Sequence, residues 1–353
     1  MKINNIMLFK ITVCTFLLTA FNSFAQSTVT KNRSDEPRAK YSASKAINFI
    51  ESSVVRWEQK RQCITCHTNG LHLVAGAQTT PSSKILLSNQ SFSRDYLTSY
   101  IKGTAKPKGQ HGSIEGIVAG TGFLVISEMI TSKKLHPDTV NALDYIWSKQ
   151  DSSGAWKKWL KCHWGPYEVD DHFGVTLAAI ALAMAPAEYR KKPNAKEAWK
   201  KLQRFLSKNA PTTPHQQAMM LWAAKYSPEL SSVQEKNKWI QELKSLQKED
   251  GGWVLAQLGD QQWKREDNKP HYMISDGYAT AMVVFALRQA GVSKQDPVIK
   301  RGIIWLKSNQ RQSGRWFTHS PRREGRHYIS QAGTSMALLA LHSCGELGKI
   351  NKN

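Results

Sequence analysis

Apolar residues recur along this chain in two alternating registers. The stretches TVNALDYIWSK (139–149), KEAWKKLQRFL (196–206), NKWIQELKSL (237–246) and IKRGIIWLKSN (299–309) space apolar side chains three and four apart with polar ones between. That period predicts amphipathic helices. Each is followed by a more apolar, small-residue stretch: GVTLAAIALAMA (174–185), HQQAMMLWAAKY (215–226), YATAMVVFALRQAG (278–291) and GTSMALLALHSCG (333–345). SASKAINFIESS (42–53) has the form of one more polar-faced helix. The alternation predicts an all-α protein of two concentric layers, with apolar helices inside and amphipathic ones outside. One such pair cannot bury its apolar face alone, so neighbours must stack.

A short motif punctuates three of the pairs. QDSSGAW (Gln150 to Trp156), QKEDGGW (Gln247 to Trp253) and QRQSGRW (Gln310 to Trp316) share the form Q-x-x-x-G-x-W, each just after a polar-faced helix. The glycine permits a left-handed helix ending, the glutamine can bond backbone groups exposed there, and the tryptophan can lie as a flat cover on the next turn. These roles are structural. The repeated motif and its flanking helices resemble the squalene-hopene cyclase and prenyltransferase repeat family. The resemblance extends over residues 43–347 and implies an α/α toroid around a central cavity with mouths at the barrel ends. That family includes terpenoid cyclases, prenyltransferase subunits and complement thioester domains, so the fold does not choose an activity.

The resemblance also implies a place to look for catalysis. Class II terpenoid cyclases carry D-x-D-D at the start of an inner helix, and YEVDDHFGVTLAAIAL offers Glu168-Val169-Asp170-Asp171 there, followed by His172. By carry-over, Asp170 is the proton donor. The same residues can instead cap the helix, and the matching places in other pairs hold Ser275-Asp276 and Ser330-Gln331.

The chain opens with Lys2 and Lys10 around an apolar run that ends in Ser23-Phe24-Ala25, the pattern of a secretory signal cleaved near Ala25. The run is too short and interrupted for a convincing membrane span. The expected organisation is a signal at 1–25, a loose segment at 26–42, the toroid at 43–347 and a tail at 348–353. Lysine and arginine number 49 against 27 acids, and loss of Lys2 and Lys10 takes the net charge from +22 to +20. The excess favours anionic partners, although most of it is scattered along helix faces. Export to the periplasm or medium argues against nucleic acid, and no integral membrane role is expected.

Four cysteines remain after Cys14 leaves with the signal. Two disulfides would be the ordinary outcome in an oxidising compartment. Yet Cys63, Cys66 and His67 form C-x-x-C-H, the spacing at which haem c is attached: two thiols on one turn for the vinyl groups and an imidazole behind them for the iron. A redox disulfide or metal site is the alternative use of the pair. No methionine stands between Thr68 and Glu128 to serve as an axial ligand, and His72 is too near His67 to reach the opposite face. His111, His163 and His172 are the candidates for a sixth ligand, His163 foremost, and His163, Asp170, Asp171 and His172 would shape the distal side. An open position would suit reaction with oxygen or peroxide, and a filled one electron transfer to a redox partner protein.

Late loops add NKPHYMISDGY, with His271 and Tyr272, and FTHSPRREGRHY, with His319, Arg322, Arg323, Arg326 and His327. Arg322 and Arg326 are placed to pair with haem propionates or an anionic ligand. The expectation is one covalent haem c on the rim of a toroid whose cavity takes an anionic or partly apolar small molecule. Its activity is redox chemistry, with cyclase-like acid catalysis by Asp170 or non-catalytic ligand binding as the competing readings.

Overall fold

The computed structural model describes residues 36–105, 113–157, 159, 161–167, 169–325, 327–348 and 350. The helices run α1 (Ala43–Arg61), α2 (Leu71–Thr79), α3 (Lys84–Ile101), α4 (Ile114–Thr131), α5 (Pro137–Lys149), α6 (His172–Met184), a four-residue α7 (Ala187–Arg190), α8 (Pro193–Lys208), α9 (Pro214–Tyr226), α10 (Val233–Ser245), α11 (Gly277–Gln289), α12 (Pro297–Asn309) and α13 (Ile329–Ser343). A π-helical turn, Cys66–Gly70, leads directly into α2. Among the described residues the only β-pairing is two isolated bridges.

Packing closes the inner helices into a ring: α2 against α4, then α6, α9, α11, α13 and back to α2. Polar-faced helices lie outside, with α3 and α5 on α4, α8 on α6, α10 on α9, α12 on α11 and α1 on α13. The molecule is an α/α toroid. Composition explains the layering. Nearly every residue of α6 and α11 is buried, whereas α8 buries only Ala195, Ala198, Leu202, Phe205 and Leu206. Helix α4 is long and apolar enough to cross a membrane, but it is an inner wall of this ring and mostly buried.

The Q-x-x-x-G-x-W turns join one outer helix to the next. In each, the tryptophan indole donates to the carbonyl ten residues earlier: Trp156 to Ile146 at 2.8 Å, Trp253 to Leu243 at 2.8 Å and Trp316 to Leu306 at 2.7 Å. Each glutamine amide donates to the carbonyl of the motif's own glycine, at 2.9, 3.0 and 2.8 Å. The glycines have φ of 99°, 88° and 94°. A Cβ on Gly314 would sit 2.2 Å from the carbonyl oxygen of Lys45 in α1, and one on Gly154 2.3 Å from that of Lys201 in α8. Glycine is therefore required twice over, for its left-handed backbone and for close approach to the neighbouring helix.

The last turn seals the ring. Gln310 bonds Ser42 through both amide atoms, donating to its carbonyl at 3.0 Å and accepting from its N–H at 2.7 Å. Beside it, buried Glu36 accepts from buried Arg315 at 2.9 Å. The segment expected to be loose thus contributes to the seam from Glu36 onward; the signal at 1–25 lies outside the described residues.

Candidate functional site

A cavity of about 210 Å³ opens at the mouth where the inner helices begin. Its wall carries Thr65, Cys66 and His67 from the turn before α2, Trp164 to Tyr167 from the loop before α6, and Ser320, Pro321, Arg322, Tyr328 and Ile329 from the approach to α13. The ring closure brings α13 beside α2, so residues at opposite ends of the sequence share this wall.

The C-x-x-C-H turn is held by its own loop. Asn69 accepts from the Thr65 N–H at 2.9 Å and donates to the Cys63 carbonyl at 3.1 Å, to which Trp57 also donates at 3.1 Å. Glu58 lies beside Asn69, and burial pushes its carboxyl up to about 7, with Asn69 opposing. A Cβ on Gly70 would meet Phe123 of α4 at 2.8 Å, so the turn packs directly on the inner ring. Cys66 is buried and Cys63 half-buried.

His67 is fixed on three sides. Its ring stacks on Tyr328 at 5.1 Å and 11°, and meets Trp57 edge-on at 4.8 Å. Nδ1 lies 2.7 Å from the Thr68 hydroxyl, which itself donates to Oε1 of Gln331 in α13. A hydroxyl whose one proton goes to Gln331 must accept from Nδ1–H, which leaves the lone pair on Nε2. Although part of the ring reaches the surface, protein surrounds it densely. Desolvation, with the Arg61 charge adding to it, pushes its pKa down to about 3 and keeps it neutral. This is the state and tautomer of a metal-ligating imidazole whose other nitrogen is hydrogen-bonded. His72 is not in this wall. It is buried against α3, with Nδ1 accepting from Asn89 at 3.1 Å.

Across the cavity, Arg322 lies over the Trp164 ring at 4.5 Å and bonds both oxygens of Glu266, at 2.7 and 3.1 Å. The expected anion partner therefore already shares its charge with a carboxylate, and two of its five N–H groups are committed there. Loop-to-loop backbone bonds reinforce the arrangement, from Lys264 to the His163 carbonyl at 2.5 Å and from Glu266 to the Arg322 carbonyl at 2.8 Å. Arg326, Glu168 and His111 lie outside the described residues.

The acids before α6 stand elsewhere. Asp170 Oδ1 accepts from the His172 N–H at 2.7 Å and Oδ2 from Gln216 at 2.7 Å, so from the position before the N-cap residue, Asp171, it satisfies the first free N–H of α6. Asp171 pairs with Lys161 at 3.6 Å; burial raises its pKa, and Lys161 opposes the rise. His172 is buried, its Nδ1 3.1 Å from the Thr176 hydroxyl. None of the three lines the mouth cavity. Nor does His163, which is exposed on a turn fixed through its carbonyl.

Behind the cavity, aromatic rings fill the barrel axis. Tyr167 packs on Phe173 at 4.9 Å and Tyr278 at 5.9 Å, and His215 Nε2 lies 2.8 Å from the Tyr278 hydroxyl. Farther round, His319, Glu324 and His327 bring their ligating atoms within 4.8 Å of one another. Both ring nitrogens of His327 face backbone donors, Nδ1 the Ser320 N–H at 2.9 Å and Nε2 the Gly325 N–H at 3.3 Å, and Nε2 lies 3.5 Å from Glu324. That bonding ties His327 into its own loop.

No family model matches the chain, and no curated protein does. Solved structures share its fold. A glycosidase variant in complex with glucose superposes with a TM-score of 0.54 at 10% identity, covering 87% of this chain and 98% of that one. An ent-copalyl diphosphate synthase from Streptomyces platensis gives 0.54 at 12% identity, over 78% of this chain and 50% of the synthase. A UGL variant with dGlcA-Glc-Rha-Glc gives 0.54 at 13%, over 84% and 95%. At such identities the likeness establishes the toroid and nothing of its chemistry.

Proposed function

We propose that this chain is an exported monohaem c-type protein that performs redox chemistry at the mouth of the toroid. Cys63 and Cys66 would tether the group and His67 Nε2 would be the proximal ligand. The observation that carries the reading is His67, bonded through Nδ1, beside Cys66 on the wall of an open cavity. When bound, haem would supply one-electron chemistry at iron. The chain's own contributions are distinct. Thr68 and Gln331 hold the imidazole tautomer, Tyr328 and Trp57 clamp its plane, and Arg322 offers its remaining N–H groups to propionates or an anionic ligand. Of the expected sixth ligands, His163 and His172 do not line the cavity and His111 lies outside the described residues.

The competing readings have less support. Glycoside hydrolysis as usually carried out needs two carboxyl groups facing one space, and among the described residues the mouth cavity is lined by none. Cyclase-like acid catalysis needs a protonated Asp170 facing a cavity, whereas both its oxygens accept hydrogen bonds. A reduced-pyridine haem spectrum and a haem-stained denaturing gel test the proposal, on protein exported from cells with haem-attachment machinery. Covalent haem on wild type but not on Cys66→Ala is expected, with carbon monoxide binding to the reduced protein. Wild-type protein without haem under those conditions would overturn it.

A further inference from the structure

The opposite mouth, where the inner helices end, holds a second cavity of about 240 Å³, and five of the six inner helices contribute to its lining. Its floor is apolar. Ile126, Trp222, Phe285 and Leu339 are each at most 5% exposed, and Trp222 and Phe285 pack edge-on at 5.2 Å. The rim is cationic. Lys225 Nζ donates to the Gln289 amide oxygen at 2.7 Å, and Arg288 donates to the carbonyls of Ser343, at 3.2 Å, and Val292. Neither forms an ion pair among the described residues, although the two charges are close enough to depress the Lys225 ammonium pKa together with burial. Helix C-termini favour cations, but each carries only about half an elementary charge. Together the five lining helix ends supply about as much negative charge as the two cations carry, and among the described residues no carboxylate lines the cavity.

We infer that this cavity binds a small amphiphilic anion, with an apolar body against Trp222, Phe285, Ile126 and Leu339 and a carboxylate or similar head on Lys225 and Arg288. An apolar cavity of about 150 Å³ suffices for benzene, so this one accommodates a medium-length alkyl or single-ring carboxylate. Recognition combines burial of the apolar body with charge-assisted bonds that the two rim cations make only with neutral oxygens at present. The site is separate from Cys63, Cys66 and His67 and does not depend on haem.

The test is calorimetric titration of the full exported protein with decanoate and, at equal concentration, decanol. The expected result is one equivalent of decanoate bound, with decanol at least ten-fold weaker. Lys225→Met and Arg288→Met should each weaken decanoate by ten-fold or more, and Lys225→Met should leave the melting temperature of the ligand-free protein nearly unchanged. Leu339→Phe, which fills the floor, should weaken both probes. Because that variant tests packing as well, Lys225→Met, at an exposed position, is the decisive one. Absence of binding to wild type, or decanoate binding indifferent to Lys225→Met and Arg288→Met, overturns the inference. Repeating the titration on Cys63→Ala/Cys66→Ala protein separates the two mouths: retained affinity there supports this site whatever the fate of the haem proposal.

Discussion

The three glutamines of the repeated turns occupy the same place in the motif but make unequal bonds, which gives an internally controlled prediction. Gln310 makes three hydrogen bonds, one to the Gly314 carbonyl and two that join it to Ser42 across the seam of the ring. Gln150 makes only the bond to the Gly154 carbonyl, and its Oε1 is buried without a hydrogen-bond partner. At a net ~1 kcal/mol per bond, Gln310→Ala should cost about 3 kcal/mol and Gln150→Ala about 1 or less, since the latter also removes an unsatisfied acceptor. Both side chains are buried, so lost packing is common to the two and largely cancels in the difference. With a urea slope of about 3 kcal/mol/M for a chain this size, the midpoints should differ by roughly 0.7 M. Gln247 donates to the Gly251 and Val298 carbonyls and accepts from exposed Arg301; because it is only half-buried and its third bond faces solvent, it should fall between. Equilibrium urea unfolding followed by tryptophan fluorescence reads all three. Equal shifts for Gln310→Ala and Gln150→Ala would refute the idea that these turns stabilise through the bond to the next helix.

Asp170→Ala should lower stability by about 1 kcal/mol through loss of the cap and leave haem incorporation unchanged, as a haem stain and a melt on one preparation would show. Loss of haem with an unchanged melt would contradict the capping role. Thr68→Val should keep covalent haem but release the His67 tautomer, seen as a shifted reduction potential and a changed visible spectrum; an unchanged potential would count against the relay to Gln331. Stability should decline on acidification. Burial depresses His215 to about 3 and His72 to about 4, so the unfolded chain takes up protons first, and stability present above pH 6.5 is lost progressively toward pH 4. Burial raises Asp276 to about 6, which works the other way between about pH 6 and 4. His215→Gln should therefore flatten the acid limb of a urea titration, and an unaltered limb would exclude His215 as a contributor.

The ring was legible because its instructions are local. Each polar-faced helix, turn and apolar helix falls within a few dozen residues, and the glycine and tryptophan of each motif act on positions nearby in sequence. The stretch around α2, α3 and α4 was less legible, since no Q-x-x-x-G-x-W turn marks it. The mouth was legible only as an inventory. Cys63, Cys66, His67 and Arg322 announced themselves by residue type, but the partners that define their state did not. Gln331 lies 263 residues from Thr68 and reaches it only because α13 closes on α2. Tyr328 joins the wall for the same reason, whereas Trp164 and Tyr167 reach it from the loop before α6. Asp170 misleads from sequence because a carboxylate before a helix serves capping and catalysis equally well, and only its bonds to His172 and Gln216 separate the two.

The common direction of the inner helices makes the two ends of the barrel chemically unequal, and this asymmetry explains why the candidate chemistries separate. At the end where the helices start, backbone N–H groups lack intrahelical partners, so capping residues such as Asp170 and Asp276 collect there and are consumed by that task. The long loops that reach over this mouth must then supply any reactive group. They do so with neutral or softly basic side chains: Cys66, His67, Tyr167 and Tyr328. At the other end the carbonyls are left over, the partial charge is negative, and lysine and arginine gather. Short connections there leave the cavity floor apolar and the cations on the rim. One end is thus suited to hold an electron-transferring group and the other to hold an anion with an apolar body, within one continuous ring of helices.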